Sequence, residues 1–335
     1  MKHSVLLLLA VLLLGCQGGS TKQATTKEAY LNSMDPTEME SSLVFWCSDS
    51  AFSANPKLMA LLDTLYQHVK ADSVITDAKT EDAWMAQYRA KLVNYFDSRN
   101  GGGTSLSDYE KVDSVLNEGI RLIELDDDWS TMGMIVKLDT ENVFELCREY
   151  NLLAQLLERC EKSECKDLLY SERKSFEEMS DKLLTILNRL THLNYWHGTI
   201  AVPIYCRQSL EVSMARNAFY RNLLNVLDGQ YHAEKVDASP KQKLMSVCDT
   251  MIKDIANDSF EDIGNGEEDK ALLNEYLEDA KTGAKALEPA MTRWLQIVAE
   301  LDQTLTTGAS RHGMENCASV MLIRWSGILK DIESE

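Results

Sequence analysis

The chain has 335 residues, of which 53 are Asp or Glu and 34 are Lys or Arg, so its formal net charge is −19 at pH 7. A chain this acidic repels nucleic-acid phosphates and anionic headgroups, which excludes nucleic acid and anionic lipid surfaces as favoured partners. It attracts cationic proteins instead. The length is enough for one large hydrophobic core or two modest ones.

The first sixteen residues are patterned as an export signal. Lys2 and His3 form a basic start, and residues 5–14 are an unbroken apolar run. The run is about half of the ~20 residues that a membrane-spanning helix needs, so a cleaved signal is favoured over a stable anchor or a buried N-terminal helix. We therefore expect residues 1–15 to be removed, which leaves a net charge of −20.

The apolar run closes with Leu13-Leu14-Gly15-Cys16, which resembles the lipobox of a bacterial lipoprotein signal peptide. The resemblance implies that Cys16 carries acyl chains and tethers the chain to a membrane of the bacterial cell envelope. The residue after the cysteine is Gln17 and not an acidic residue, which resembles the signal that sorts lipoproteins to the outer membrane. Residues 16–34, the lipidated cysteine and a polar linker, are expected to act as a flexible tether. Whether the protein faces the periplasm or the cell surface stays open.

Only five prolines, leucine-rich runs and a 3.6-residue period predict an all-α protein, an antiparallel helical bundle behind the signal and tether. A polar window at 229–239 predicts a boundary between a helical domain at 35–228 and a C-terminal bundle at 240–335, unless the two are continuous. Asn100 and the three glycines after it predict a loop.

The predicted helices, in chain order, are 37–46, 57–69, 81–96, 108–125, 130–158, 171–190, 206–227, 241–255, 270–280, 290–305 and 315–332. The helix at 130–158 is expected to break near residues 138–140. Asp228-Gly229 is typical of a helix C-terminus. Residues 257–269 are expected to form an acidic, glycine-containing loop.

Eight cysteines indicate disulfide chemistry in an exported chain. With Cys16 lipidated, seven remain, so at least one stays reduced or pairs between chains. The candidate pairs are Cys160 with Cys165 and Cys165 with Cys206. Cys248 lies on the apolar stripe of its helix and is expected to be a buried thiol.

No sequence motif indicates catalysis, a metal or a cofactor. The chain lacks the HExxH, GxSxG and nucleotide-binding patterns. His192 and His197 are five residues apart, which does not place them on one helix face as zinc ligands. The acidic residues at 258–269 lack the order of a calcium loop. We therefore expect a non-enzymatic protein without metal or cofactor; glycoside hydrolysis by a carboxylate pair is the enzymatic alternative.

Two stretches resemble the LprI-type lysozyme-inhibitor domain. Residues 198–224, GTIAVPIYCRQSLEVSMARNAFYRNLL, lead from a glycine turn to a cysteine, an arginine and a leucine, as the end of that domain does. Residues 290–295 (AMTRWL) resemble its tryptophan helix, followed by Cys317, Arg324 and Leu329. A fainter likeness lies at 82–92. The resemblance implies an envelope protein that binds cationic muramidases.

Two functions follow from these observations. The first is a membrane-anchored binding module for a cationic protein such as a muramidase. The alternative is a structural or assembly lipoprotein of an envelope complex, without inhibitory activity. Two acidic clusters are the candidate contact points, unless they are ordinary solvated faces: Asp126, Asp127 and Asp128, and Glu267, Glu268 and Asp269.

Overall fold

The structure, a computed structural model, describes residues 78–124, 130–160, 162–195, 200–236, 239–262, 267–306 and 312–333. These residues form eight α-helices and a short 3-10 helix at Asp331–Glu333, and they contain no strand, which confirms the predicted all-α fold. The helices are α1 (Ala78–Asn100), α2 (Asp108–Glu124), α3 (Thr131–Arg159), α4 (Ser163–Asn194), α5 (Ala201–Leu227), α6 (Pro240–Asp262), α7 (Glu267–Leu305) and α8 (Gly313–Lys330). The helices predicted at 37–46 and 57–69 lie outside the described residues.

The chain divides into two compact units between Phe144 and Glu145. In the first unit, α1 packs against α2, whose apolar stripe is buried. Gly119 of α2 lies directly against the Phe144 ring, where any side chain would overlap the ring. Arg89 of α1 donates a hydrogen bond of 2.6 Å to the hydroxyl of Tyr109.

The second unit is built around the antiparallel pair of α4 and α7. Arg189 of α4 lies 2.8 Å from Asp279 of α7, and Glu178 pairs with Arg293 further along both helices. Gly283 allows a close approach of the two helices, since a Cβ there would lie 3.0 Å from Cγ1 of Ile186. Helix α8 packs against α5, α6 and α7 and completes the core.

Helices α3 and α7 are continuous where the sequence predicted interruptions. The break expected at residues 138–140 is wrong, because α3 runs through it and buries Thr140. The helices expected at 270–280 and 290–305 are one helix, α7, and burial of Ala284 and Leu287 between them favours continuity. Pro289 is tolerated inside α7 on an exposed position.

Several further boundaries differ from the predicted ones. Helix α4 begins at Ser163 and α5 at Ala201, both earlier than predicted. Helix α6 continues to Asp262 and α7 begins at Glu267, so most of the stretch expected as a loop at 257–269 is helical. Local composition favoured a loop there, and such composition is a weak guide to where a helix ends.

The segment after α5 is held against α8. Helix α5 ends as predicted, with Gly229 at φ +68°. The side chain of Asn316 then accepts hydrogen bonds from the Tyr231 hydroxyl, at 2.6 Å, and from the Glu234 amide, at 3.0 Å. Helices on both sides of 229–239 therefore pack within one compact unit, whereas the units divide at Phe144.

Candidate functional site: a buried charged cluster

The most elaborate polar arrangement among the described residues is a buried cluster centred on Arg216 of α5. Its guanidinium meets Glu172 of α4, Tyr220 of α5 and Glu149 of α3, and Trp294 of α7 joins through Glu172. We call these five residues the Arg216 cluster. It brings together side chains from four helices, α3, α4, α5 and α7.

Helical spacing explains why these side chains meet. Arg216 and Tyr220 are four residues apart on α5, so they lie on the same inward face. Glu172 and Phe176 have the same spacing on α4. Arg216 is 1% exposed and Glu172 is fully buried, which is exceptional for charged residues unless they are paired.

The pairing between Arg216 and Glu172 is bidentate. Nη1 of Arg216 donates to Oε1 of Glu172 at 2.6 Å, and Nη2 donates to Oε2 at 2.8 Å. Nε1 of Trp294 donates to the same Oε1 at 2.6 Å, and the Tyr220 hydroxyl donates to Oε2 at 3.1 Å. The Glu172 carboxylate therefore accepts four hydrogen bonds, which offsets its loss of hydration.

Aromatic rings enclose the guanidinium. Its central carbon lies 3.9 Å from the ring centroids of both Phe176 and Tyr220, and 5.4 Å from that of Phe219. Cation–π attraction is strongest in such desolvated surroundings. Trp294 contacts the rings of Phe176 and Phe219 in turn, at centroid distances of 6.2 and 5.4 Å. The charged pair therefore lies within the aromatic core.

The second carboxylate of the cluster is less well compensated. Glu149 accepts one hydrogen bond, from Nε of Arg216 at 3.3 Å. Burial raises the pKa of Glu149 to about 7, although the Arg216 guanidinium opposes this and Glu177 and Glu172 add to it. Burial also raises the pKa of Tyr220 well above its usual value, so Tyr220 stays a neutral hydroxyl.

A second buried pair lies beside the cluster. Nη1 of Arg148 donates to Oε1 of Glu145 at 2.5 Å, within α3. Nδ2 of Asn217 donates to the backbone oxygen of Glu145 at 2.8 Å and to its Oε2 at 2.6 Å. These bonds fix α3 to α5 one residue along from Arg216.

The Arg216 cluster is closed to substrates in this structure. Its two central residues, Arg216 and Glu172, are at most 1% exposed, and aromatic rings cover the guanidinium. The arrangement therefore holds helices together rather than presenting reactive groups to a ligand.

None of the predicted site residues is among the five residues of the Arg216 cluster. Cys16 and the cluster Asp126, Asp127 and Asp128 lie outside the described residues. Of the second acidic cluster, Glu267 and Glu268 open α7, and Asp269 is half-buried in its first turn.

All six cysteines among the described residues are buried. Cys160 and Cys165 are joined in a disulfide with a Cα–Cα distance of 5.7 Å, across the turn between α3 and α4. Cys206 takes no part in that disulfide and is 2% exposed in α5. Cys248 is fully buried, as its apolar stripe predicted, and burial raises its pKa to about 12.

Sequence reasoning did not find the Arg216 cluster. A signal was present, because Arg216 lies on the same helical face as Phe219 and Tyr220, and a charge on an apolar face needs a partner. Nothing in the sequence identifies Glu172 as that partner, since it is one of 53 acidic residues, 44 positions away.

A further polar cluster lies at the start of α8. Asp302, His312 and Glu315 offer oxygen and nitrogen atoms within 4.8 Å of one another, the one such group with metal-ligand character in the described ranges. Asp302 is already engaged, because its Oδ2 accepts from the Glu315 amide and its Oδ1 from Thr306. It therefore caps the start of α8.

A shallow cleft runs between α6 and α7. Lys241 and Lys253 lie towards its two ends, with Ser246 and Asp249 between them and Glu288 on the α7 side. Lys241 is engaged by Glu288, at 3.2 Å. The cleft is open to solvent along its length and holds no convergent set of buried polar groups.

No family model, no curated protein and no solved structure matches this chain. Within the parts that the structure describes, no helix combines the length and apolar character needed to cross a bilayer. The residues behind the LprI-type resemblance are largely interior: Cys206, Trp294 and Cys317 are each at most 2% exposed, whereas Arg324 is exposed.

Proposed function

We propose that this protein is a lipoprotein of the bacterial envelope, anchored through Cys16, that binds a cationic protein such as a muramidase. The observation that carries the proposal is the location of its negative charge. Five charged side chains are classed as buried among the described residues: Glu145, Arg148, Glu172, Arg216 and Asp302. Their sum is −1.

Nearly all of the net charge of −19 therefore belongs to the surface or to the segments outside the described residues. A surface of one sign accelerates encounter with partners of the opposite sign. The LprI-type resemblance supplies the class of partner, a cationic muramidase. Acyl chains on Cys16 would hold this acidic surface close to the wall polymers on which muramidases act.

The test is inhibition of a cationic lysozyme by a soluble form that begins at Ser20. Assays at about 0.01 M and 0.15 M salt separate two cases, because the Debye length falls from about 30 to 8 Å. We expect inhibition at both concentrations, weaker at the higher one. Inhibition confined to low salt would mean charge attraction alone, and no inhibition at either would refute the inhibitor role.

Two matched variants locate the contact. One changes Asp126, Asp127 and Asp128 to Asn, and the other changes Glu267 and Glu268 to Gln and Asp269 to Asn. Each removes three negative charges, so equal losses of affinity would indicate a general charge effect. A loss at least tenfold larger in one variant would identify that cluster as a contact.

The alternative is an assembly lipoprotein, and the closed Arg216 cluster favours it, because four helices fixed through one buried cluster make a firm scaffold. Detergent extracts of cells would then yield a stable partner with the full-length protein, without any effect on lysozyme.

Both proposals require lipidation at Cys16. A Cys16→Ser variant should lose radiolabelled palmitate and leave the membrane fraction.

A further inference from the structure

The surroundings of Glu149 hold more negative than positive groups. Among the described residues, the charged and titratable groups that face this part of α3 are Glu145, Arg148 and Tyr150 on α3, Glu172, Arg173 and Glu177 on α4, and Arg216 and Tyr220 on α5. With Glu149 included, four carboxyl groups face three guanidinium groups.

Each guanidinium already has a closer carboxylate than Glu149. Arg216 binds Glu172 at 2.6 Å, Arg148 binds Glu145 at 2.5 Å, and Arg173 binds Glu177 at 3.2 Å. Glu149 shares Arg216 with Glu172, and its Oε1 lies 3.3 Å from Nε of Arg216. Its ionised form is therefore a surplus charge in a poorly hydrated place, whereas its protonated form is neutral and tolerated.

The position of Glu149 connects this charge to helix packing. Its neighbour Tyr150 accepts a hydrogen bond of 2.8 Å from Arg173 of α4, and Glu145 is bonded to Asn217 of α5. Residues 145–159 of α3 thus dock on α4 and α5 through contacts on both sides of Glu149. The Glu149 side chain is 13% exposed, so a proton can reach it from solvent.

We propose that the Glu149 carboxyl is a pH-dependent latch that keeps residues 145–159 of α3 docked on α4 and α5 when protonated and weakens that docking when it ionises. Ionisation releases one proton to solvent and leaves one uncompensated negative charge beside Glu172 and Glu177. Undocking lets water solvate that charge.

The size of the effect follows from linkage. Burial raises the pKa of Glu149 to about 7 in the docked state, and an exposed glutamate has its ordinary value of 4.5. Between pH 6 and pH 8 the population of the undocked state should therefore rise about tenfold relative to the docked state. The direction is fixed, since the docked state binds the proton more tightly and loses stability as pH rises.

Hydrogen exchange of the full chain at pH 6, 7 and 8, corrected for intrinsic rates, tests the latch. Peptides from 145–159 should lose protection about tenfold across this range relative to peptides from α8. Glu149→Gln should abolish this dependence and keep the segment protected at pH 8. Glu158→Gln, an exposed change on the same helix, should retain the wild-type dependence.

An equal pH dependence in wild type and Glu149→Gln would overturn the proposal, as would protection that does not change with pH. Should the variant fail to fold, infrared difference spectra of the wild-type chain decide. They should show one protonated carboxyl lost between pH 6 and pH 8. Absence of that band would equally refute the latch.

Discussion

Arg216 shows how a single charged residue can organise a core. Burial by itself would lower its pKa, but Glu172 and the neighbouring groups more than reverse this, so the guanidinium stays charged. Each of its nitrogens reaches an acceptor in the Arg216 cluster. The geometry fits arginine and not lysine, because only a planar fork can bind both oxygens of Glu172.

Breaking this pair on one side should be costly. We expect Arg216→Met to lower the free energy of unfolding by about 3–5 kcal/mol, because it leaves the Glu172 carboxylate buried without its cation. Chemical denaturation followed by circular dichroism at pH 7 measures the change.

The double variant Arg216→Met with Glu172→Gln provides the control. It removes both charges and keeps an acceptor for the Trp294 indole, so it should recover most of the lost stability. A double variant as unstable as Arg216→Met would show that the loss comes from the shape of Arg216 or from Glu149, which loses its hydrogen bond in both variants, and not from the unpaired Glu172 charge. An unaffected Arg216→Met would contradict the structure of the cluster.

At the scale of the residue, the sequence identifies types of environment and not partners. Cys248 could be placed in the core because its own helix carries the apolar stripe around it. Glu172 could not, since its environment is supplied by Arg216 and Trp294 on other helices. The Arg216 cluster forms through contacts between residues that are far apart in the sequence, and no local sequence pattern encodes such contacts.

At the scale of the helix, the existence of elements was predictable and their ends were not. The described helices each correspond to a predicted periodic stretch, because burial of one face repeats every 3.6 residues. The sequence predicted a break near 138–140 and separate helices at 270–280 and 290–305. Packing of Thr140, Ala284 and Leu287 instead carries α3 and α7 through these interruptions.

The start of α8 depends on a cap from another helix. Oδ2 of Asp302 on α7 accepts from the amide of Glu315 at 3.2 Å, in the first turn of α8. We expect Asp302→Ala to destabilise the protein by about 1–2 kcal/mol, as loss of a capping acceptor does. Thermal unfolding measures the change. Asp302→Asn keeps an acceptor and should cost less; equal losses in both would rule out the capping role.

The disulfide Cys160–Cys165 closes a short loop between α3 and α4. A loop of about six residues restricts the unfolded chain only modestly, so its loss should cost about 2 kcal/mol. Replacing both cysteines with alanine and measuring denaturation without reductant gives this value. Alkylation of the unfolded, unreduced chain should leave both residues unlabelled, and labelling of either would show that the bond is absent.

At the scale of the molecule, the compact units do not follow sequence composition. The polar window at 229–239 predicted a boundary unless the parts on its two sides are continuous, and hydrogen bonds from Tyr231 and Glu234 to Asn316 fix that segment to α8. The structure divides instead within α3, between Phe144 and Glu145. A division inside a continuous helix leaves no polar or glycine-rich mark, so the sequence could not indicate it.

The net charge of −19 affects stability as well as binding. Like charges on the surface repel in the folded state more than in the expanded chain, and salt screens them. We expect the melting temperature to rise between about 0.01 and 0.15 M sodium chloride, whereas the electrostatic part of binding to a cationic protein should weaken over the same range. Differential scanning calorimetry measures the first effect, with an uncharged osmolyte of equal osmolality as control.

A melting temperature that falls with salt would show that attractive surface pairs outweigh the repulsion. If it rises, weaker lysozyme inhibition at 0.15 M salt cannot be attributed to unfolding and must come from the screened interface.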